Sequence, residues 1–208
     1  MLGEDSNKKL IIEQEKMQNK EHTMEQTNFD KLMDFVFKWE GGLCDDPKDS
    51  GGITKYGIIL KDLQEYNPKA TREDIINLTK EQAKKIYYEK YWLRAKCDKI
   101  LNDDLALAYC DTCINCGIRQ ATFFLQRAVN NVANAGIEVD GKIGDITIGA
   151  VNSHDGSGIL ENFLLQRITF YKTLAEKKPG QKVFLRGWLN RSYALANAVD
   201  VPISAAVV

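Results

Sequence analysis

The apolar residues of this chain recur in steps of three and four, segment after segment, and that period admits helices and little else. In FDKLMDFVFKWEGG they fall at Phe29, Leu32, Met33, Val36 and Phe37, with Trp39 close behind. Asn28 precedes the run as its N-cap, and Gly41-Gly42 follows as a stop, because glycine accepts the left-handed conformation that ends a helix. Glu40 therefore belongs to the last turn. LTKEQAKKIYYEKYW reads as another helix, with Thr79 and Gln82 at capping-box spacing. NPKATREDIINL carries a short one with Thr71 or Pro68 near its start. DDLALAYCDTCINCG is apolar enough to be a buried central helix, ended by Gly117. RQATFFLQRAVNNVAN follows, then a turn-rich stretch that becomes helical from Ile148 to Asn152. SGILENFLLQRITFYKTLAEK is long and amphipathic, and VFLRGWLNRSYALANAV comes after the break at Lys178-Pro179-Gly180. No alternating series is long enough to build a sheet, and one small hairpin between Gly51 and Leu60 is the most the pattern allows. The expected class is all-α, or α with a minor β element.

Residues 1–27 are polar and charged, broken only by Leu10, Ile11 and Ile12, and read as a disordered or loosely helical leader. The folded part should begin near Phe29. The 208 residues suffice for one good core, and a formal net charge of −1 gives no electrostatic case for a nucleic-acid partner. No apolar run approaches the roughly 20 residues of a membrane span, and the N-terminal stretch shows no secretory h-region or cleavage site. The cysteines are Cys44, Cys97, Cys110, Cys113 and Cys116. Their number is odd. The three at 110–116 fall along one side of a helix without a convincing fourth ligand, so they read as structural thiols rather than a metal site. No cofactor is implied.

The stretch KWEGGLCDDPKDSGGITKYGI, Lys38 to Ile58, fits neither core nor ordinary loop. A carboxylate at a helix end beside Trp39 can be partly desolvated, which favours its protonated form. Hydrolysis of a glycosidic bond uses such an acid together with a second carboxyl group, for which Asp45, Asp46 and Asp49 are candidates. The glycines let backbone approach a bulky sugar, and Thr54 and Tyr56 offer hydroxyls. Against this, an isolated Glu-Gly-Gly before an Asp-Pro turn is common surface chemistry. A calcium loop is a poorer reading, since the closing glutamate of an EF-hand is missing.

The run E-G-G-x2-D-D-P-x-D-x-G-G-x-T-x-Y-G-I, Glu40 to Ile58, resembles the signature of glycoside hydrolase family 108, which comprises phage and bacterial N-acetylmuramidases, including endolysins and proteins called secretion activators. NLTKEQAKKIYYEKYW, Asn77 to Trp92, resembles a helix of that family, and Asp111, Asn115 and Gly117 match its D-x3-N-x-G. FLQRAVNNVANAGIEVDGKIGDITIGAV is similar to peptidoglycan-binding helical modules, and LENFLLQRITFYKTLAEKKPGQKVFLRGWLNR resembles the predicted peptidoglycan domain that follows in these proteins. The resemblance covers roughly residues 29–195.

The resemblance implies a mainly α, lysozyme-like helical region over 28–117, with at most a small β-hairpin. It implies packed C-terminal helices over 118–208 that form a peptidoglycan-binding region in the same globule. It makes Glu40 the catalytic acid for cleavage of the glycan strand. Phage lysozymes of another family place acid, aspartate and threonine as E-x8-D-x5-T. Glu40 and Asp49 share the first spacing and Thr54 falls one residue short of the second, so Asp49 and Thr54 are candidate partners and Asp46 competes with Asp49. Asp46, Tyr56, Trp92 and Asn115 are candidate substrate contacts: Trp92 could stack on a sugar or pack in the core, and Asn115 could bind an N-acetyl group or satisfy backbone. Arg167, Arg186 and Arg191 read as salt-bridged structure. The expected partner is bacterial peptidoglycan, reached in the periplasm or cell wall through a holin or an export system after synthesis in the cytoplasm. No stable membrane insertion is expected. A lytic transglycosylase, or a wall-binding or secretion-accessory protein that keeps the fold without catalysis, are the alternatives. The sequence departs from the family pattern at Cys44 and in the three central-helix cysteines.

Overall fold

A helix already formed at residue 27 and running to residue 40 (α1) opens the computed structural model, which describes residues 27–44 and 52–203. Asn28 lies inside this helix rather than capping it, and its side-chain amide donates to Asp103 Oδ1 instead. Leu32, Met33 and Val36 are fully buried on one face. Residues 1–26 of the expected leader, and Asp45, Asp46 and Asp49, lie outside the described residues, while residue 27 already belongs to α1.

Three two-residue strands follow: Leu43–Cys44 (β1), Thr54–Lys55 (β2) and Ile58–Ile59 (β3), antiparallel in that order. The β2–β3 hairpin falls where it was expected, and β1 adds one strand that is too short for any alternation to announce it. Lys55 pairs with Ile58, so the turn is Tyr56-Gly57, with φ of 54° and 76°. Two successive positive φ values are what a type I′ turn requires, and they match the twist of the strands. Lys55 Nζ donates to the Ile76 carbonyl at 2.6 Å and Tyr87 Oη to the Tyr56 carbonyl at 3.0 Å, which ties the hairpin to the helices beneath it.

Leu60–Tyr66 (α2), Arg72–Ile76 (α3) and Lys80–Tyr87 (α4) come next. The expected capping box is present on α4: Gln82 N donates to Thr79 Oγ1 at 3.1 Å and Thr79 N to Gln82 Oε1 at 2.8 Å. Thr71 caps α3, with Asp74 reaching back to its N–H. A π-helical turn, Tyr88–Leu93, extends α4 and delivers Trp92 to the core.

Asp103–Cys116 (α5) is the central helix, capped by Asn102, whose Oδ1 accepts from Leu105 N at 2.8 Å. Gly117, at φ 82°, breaks it from Ile118–Ala133 (α6). Asp145–Asn152 (α7) begins three residues before the expected Ile148. Gly156–Lys177 (α8) leads through a 3-10 turn, Pro179–Phe184, into Leu185–Ala198 (α9). α5 packs on α6 and α8, and α8 packs on α9. Among the described residues a large apolar cluster runs from Phe29 to Val199. Among the described residues no helix is long and apolar enough to cross a membrane.

Cys97, Cys110 and Cys113 are buried free thiols in this core, and Cys116 Sγ lies 3.1 Å from Tyr171 Oη. Burial pushes the Cys97, Cys113 and Cys116 thiols above their ordinary value, which suppresses the thiolate that oxidation or metal binding would need.

The D-G-K-I-G-D-I-T loop is organised by one buried side chain. Gln126 Nε2 donates to Asp140 Oδ1 at 2.9 Å and to Thr147 Oγ1 at 3.2 Å, while its Oε1 accepts from Gly141 N at 2.9 Å. Gln126→Ala leaves the buried Gly141 N–H without that acceptor and costs about 1–3 kcal/mol. Urea denaturation checks this, and an unchanged midpoint would show that the loop is held by other means.

Candidate active site

Glu40 is brought to its place by the last turn of α1, and Gly41, at φ 66°, turns the chain away immediately after it. The expected neighbour, Trp39, does not shape the site. Successive helical residues point about 100° apart, as 3.6 residues per turn dictates, and Trp39 packs back on Phe35, with 38% of its surface exposed. The groups around Glu40 come from elements far along the chain.

Arg191, on α9, donates from Nη1 to Glu40 Oε1 at 2.7 Å. The same guanidinium donates from Nη2 and Nε to Asp111 Oδ1 at 2.7 Å and 3.2 Å. The other Asp111 oxygen accepts from Arg167 Nη1 at 2.6 Å, and that nitrogen also donates to Thr112 Oγ1 at 3.0 Å. Glu40, Arg191, Asp111 and Arg167 thus form a row of alternating charges from a half-buried helix end into the fully buried core. Burial alone would push the Asp111 carboxyl up, but Arg167 and then Arg191 outweigh it and hold the group below the usual carboxylate range. Burial likewise opposes the charge on Arg191, and Asp111 and Glu40 restore it. The sequence reading that made Arg167 and Arg191 ion-paired structure matches these contacts, yet one of those pairs reaches the candidate acid itself.

The second wall is the hairpin turn. A Cβ built on Gly57 would lie 2.7 Å from Glu40 Oε2 and closer still to Tyr87 Oη, so only glycine lets the backbone come this close. Burial, and then the charge of Glu40, push the Tyr87 phenol far above its ordinary value. It stays protonated and serves as the donor that holds the turn. Gly57 falls within the run that carries the family resemblance. Tyr87 lies within YYEKYW and carries no separate signal in the sequence.

The other sequence candidates are dispersed. Thr54 is half-buried in β2, opposite Cys44 and Ile59 and just upstream of the turn. Tyr56 forms the turn, packs its ring on Phe37 at 5.4 Å and accepts from Tyr87 through its carbonyl. Asn115 is exposed and donates to the Asp111 carbonyl at 2.8 Å, with Asp111 Oδ2 at 3.4 Å, which puts it at the edge of the charge row. Trp92 is 2% exposed and edge-on to Phe29 at 5.6 Å. Its ring belongs to the core, away from any surface a sugar could reach. Asp46 and Asp49 fall in the segment between β1 and β2, outside the described residues. Among the described residues no cluster of metal-ligating side chains occurs.

A helix-end glutamate fixed by a buried arginine, in a mainly α lysozyme-like architecture, fits a carboxylate-dependent hydrolase. Comparison with known proteins agrees. Residues 33–117 match the family model described as "Glycosyl hydrolase 108", and residues 120–193 match "Predicted Peptidoglycan domain". A solved structure titled "Structure of Brucella abortus SagA" is similar at 30% identity and a TM-score of 0.69, covering 87% of this chain and 99% of that one. No curated protein is a significant match. The chain belongs to the glycosyl hydrolase 108 family and carries, in the same order, the peptidoglycan domain that the resemblance led one to expect. Its role is that of a peptidoglycan-related hydrolase.

Proposed function

We propose that the protein cleaves the glycan strand of peptidoglycan as an N-acetylmuramidase, with Glu40 as general acid. The observation that carries this reading is the way Glu40 is held: Arg191 fixes Oε1 at 2.7 Å while Oε2 faces the glycine turn. Oriented through one oxygen, the carboxyl presents the other at the hairpin turn and keeps 23% of its side chain exposed, so in its protonated form it can deliver a proton to a glycosidic oxygen. As the bond breaks, the leaving sugar takes that proton and water adds to the oxocarbenium-like carbon. The water's own proton passes to a second carboxylate. Asp46 and Asp49 are the proposed sources of that second group, with Thr54 beside them in the chain as a candidate to orient the water. The matched peptidoglycan domain supports peptidoglycan as the substrate.

Glu40→Gln keeps the shape and the hydrogen bond to Arg191 but removes the acid. Release of reducing ends from purified peptidoglycan should fall by about 10²–10⁴-fold, with the helical circular dichroism unchanged. Mass spectrometry of the wild-type products should show a hydrated muramic acid reducing end. An anhydro end would make the enzyme a lytic transglycosylase, and full activity in Glu40→Gln would remove Glu40 from the chemistry.

A further inference from the structure

The two family matches divide the chain between residues 117 and 120, and the charge row does not respect that division. Glu40 and Asp111 lie in the first match, and Arg167 and Arg191 in the second. We infer that Arg191 is the positioning residue of this site, so that the segment matched as a peptidoglycan domain completes the catalytic centre in addition to any wall binding. The inference rests on the reading of Glu40 as the acid.

A glutamate at a half-buried helix end still has several rotamers, and holding one of them costs conformational entropy. Arg191 removes that freedom because its own guanidinium is already fixed. Its fork engages Asp111 Oδ1 through two nitrogens, and a planar fork so held leaves Nη1 one direction in which to point. Asp111 cannot yield, being fully buried and anchored through its other oxygen to Arg167. Orientation therefore passes from the core, through Arg191, to a carboxyl 151 positions away in sequence. Lysine offers a point charge without a fork and cannot serve both carboxylates in this geometry.

The test uses the full chain in four forms: wild type, Glu40→Gln, Arg191→Lys and Arg191→Gln. Turnover on soluble glycan fragments is measured together with sedimentation on intact walls. Arg191→Gln should lose kcat by on the order of 100-fold, as misplacement of a reacting group does, with KM and wall sedimentation close to wild type. Arg191→Lys should recover part of kcat by restoring the charge, and it serves as the deciding variant if Arg191→Gln does not fold. Wild-type kcat in folded Arg191→Gln, or in folded Arg191→Lys where Arg191→Gln does not fold, overturns the positioning role while leaving Glu40 in place. A loss confined to KM and wall sedimentation also overturns it, since that would make Arg191 part of a binding surface. An inactive wild type, or a fully active Glu40→Gln, would overturn the reading of Glu40 and this inference with it.

Discussion

Asp111→Asn should lower the free energy of unfolding by about 3–5 kcal/mol, the range for removing one partner of a buried ion pair. Asp111 is wholly buried and is the shared counter-ion of Arg167 and Arg191. Without its charge Arg191 still has Glu40, but Arg167 keeps its positive charge in the core among neutral groups, with the Thr112 hydroxyl on Nη1 and the Tyr171 ring beside it. Its Nε and Nη2 already find no hydrogen-bond acceptor among the described residues. Asparagine keeps one acceptor oxygen and nearly the same volume, so the loss is electrostatic rather than a cavity effect.

The pH dependence identifies the cause. Asp111 is held below its unfolded value, so the unfolded chain binds the proton more readily and stability rises with pH. Its contribution is fully present above the unfolded carboxylate value of about 3.9 and is lost as pH falls through the lower folded value. Asp74, Asp140, Asp145 and Asp155 are also held low, by hydrogen bonds from Thr71, Gln126, Lys96 and Ser157, and share the acid limb. The difference between wild type and Asp111→Asn isolates the buried group. Urea titrations should show it large at neutral pH and shrinking in strong acid. A difference independent of pH would mean that the charge on Asp111 is not what stabilises the fold.

Features that depend on near neighbours in the chain are legible in the amino-acid sequence alone. Thr79 and Gln82 cap α4 because a capping box needs only three-residue spacing, and Gly117 ends α5 because a positive φ is a local demand. Glu40 stands out for the same reason, as an acid at a helix end followed by glycines. Its surroundings do not. Sequence adjacency suggests Trp39 as the desolvating neighbour, whereas helical geometry turns that ring toward Phe35 and lets Arg191 approach from the last helix. The D-x3-N-x-G match marks Asp111 and Asn115 without showing that Asp111 faces two arginines from α8 and α9. Such contacts are set by how α5, α8 and α9 pack, and that packing follows from the whole core rather than from any short run. Trp92 shows the same limit, since an aromatic at a helix end looks alike whether it closes a core or lines a groove.

Gly57→Ala should reduce turnover by on the order of 100-fold, because the new methyl group would occupy space used by the acid. Its Cβ would collide with Tyr87 Oη and lie 2.7 Å from Glu40 Oε2 and 3.0 Å from Glu40 Cδ. None of these atoms can retreat freely. Tyr87 is a buried rigid ring whose hydroxyl holds the Tyr56 carbonyl, and Glu40 is anchored through Oε1 to Arg191. Either the turn lifts away from the helices or the carboxyl leaves its position, and both separate the acid from the backbone surface that faces it. The left-handed backbone adds about 1–2 kcal/mol of strain for any residue with a Cβ. Gly136→Ala separates strain from collision, since Gly136 also has positive φ, at 65°, but a Cβ there meets no atom of the described residues within 4 Å. Gly136→Ala should therefore lose a similar amount of stability and keep most of its turnover, while Gly57→Ala should lose turnover well beyond any loss of folded protein. Equal turnover in the two variants, measured on the same glycan at a temperature where both are folded, would show that the close approach of Gly57 to Glu40 has no part in catalysis.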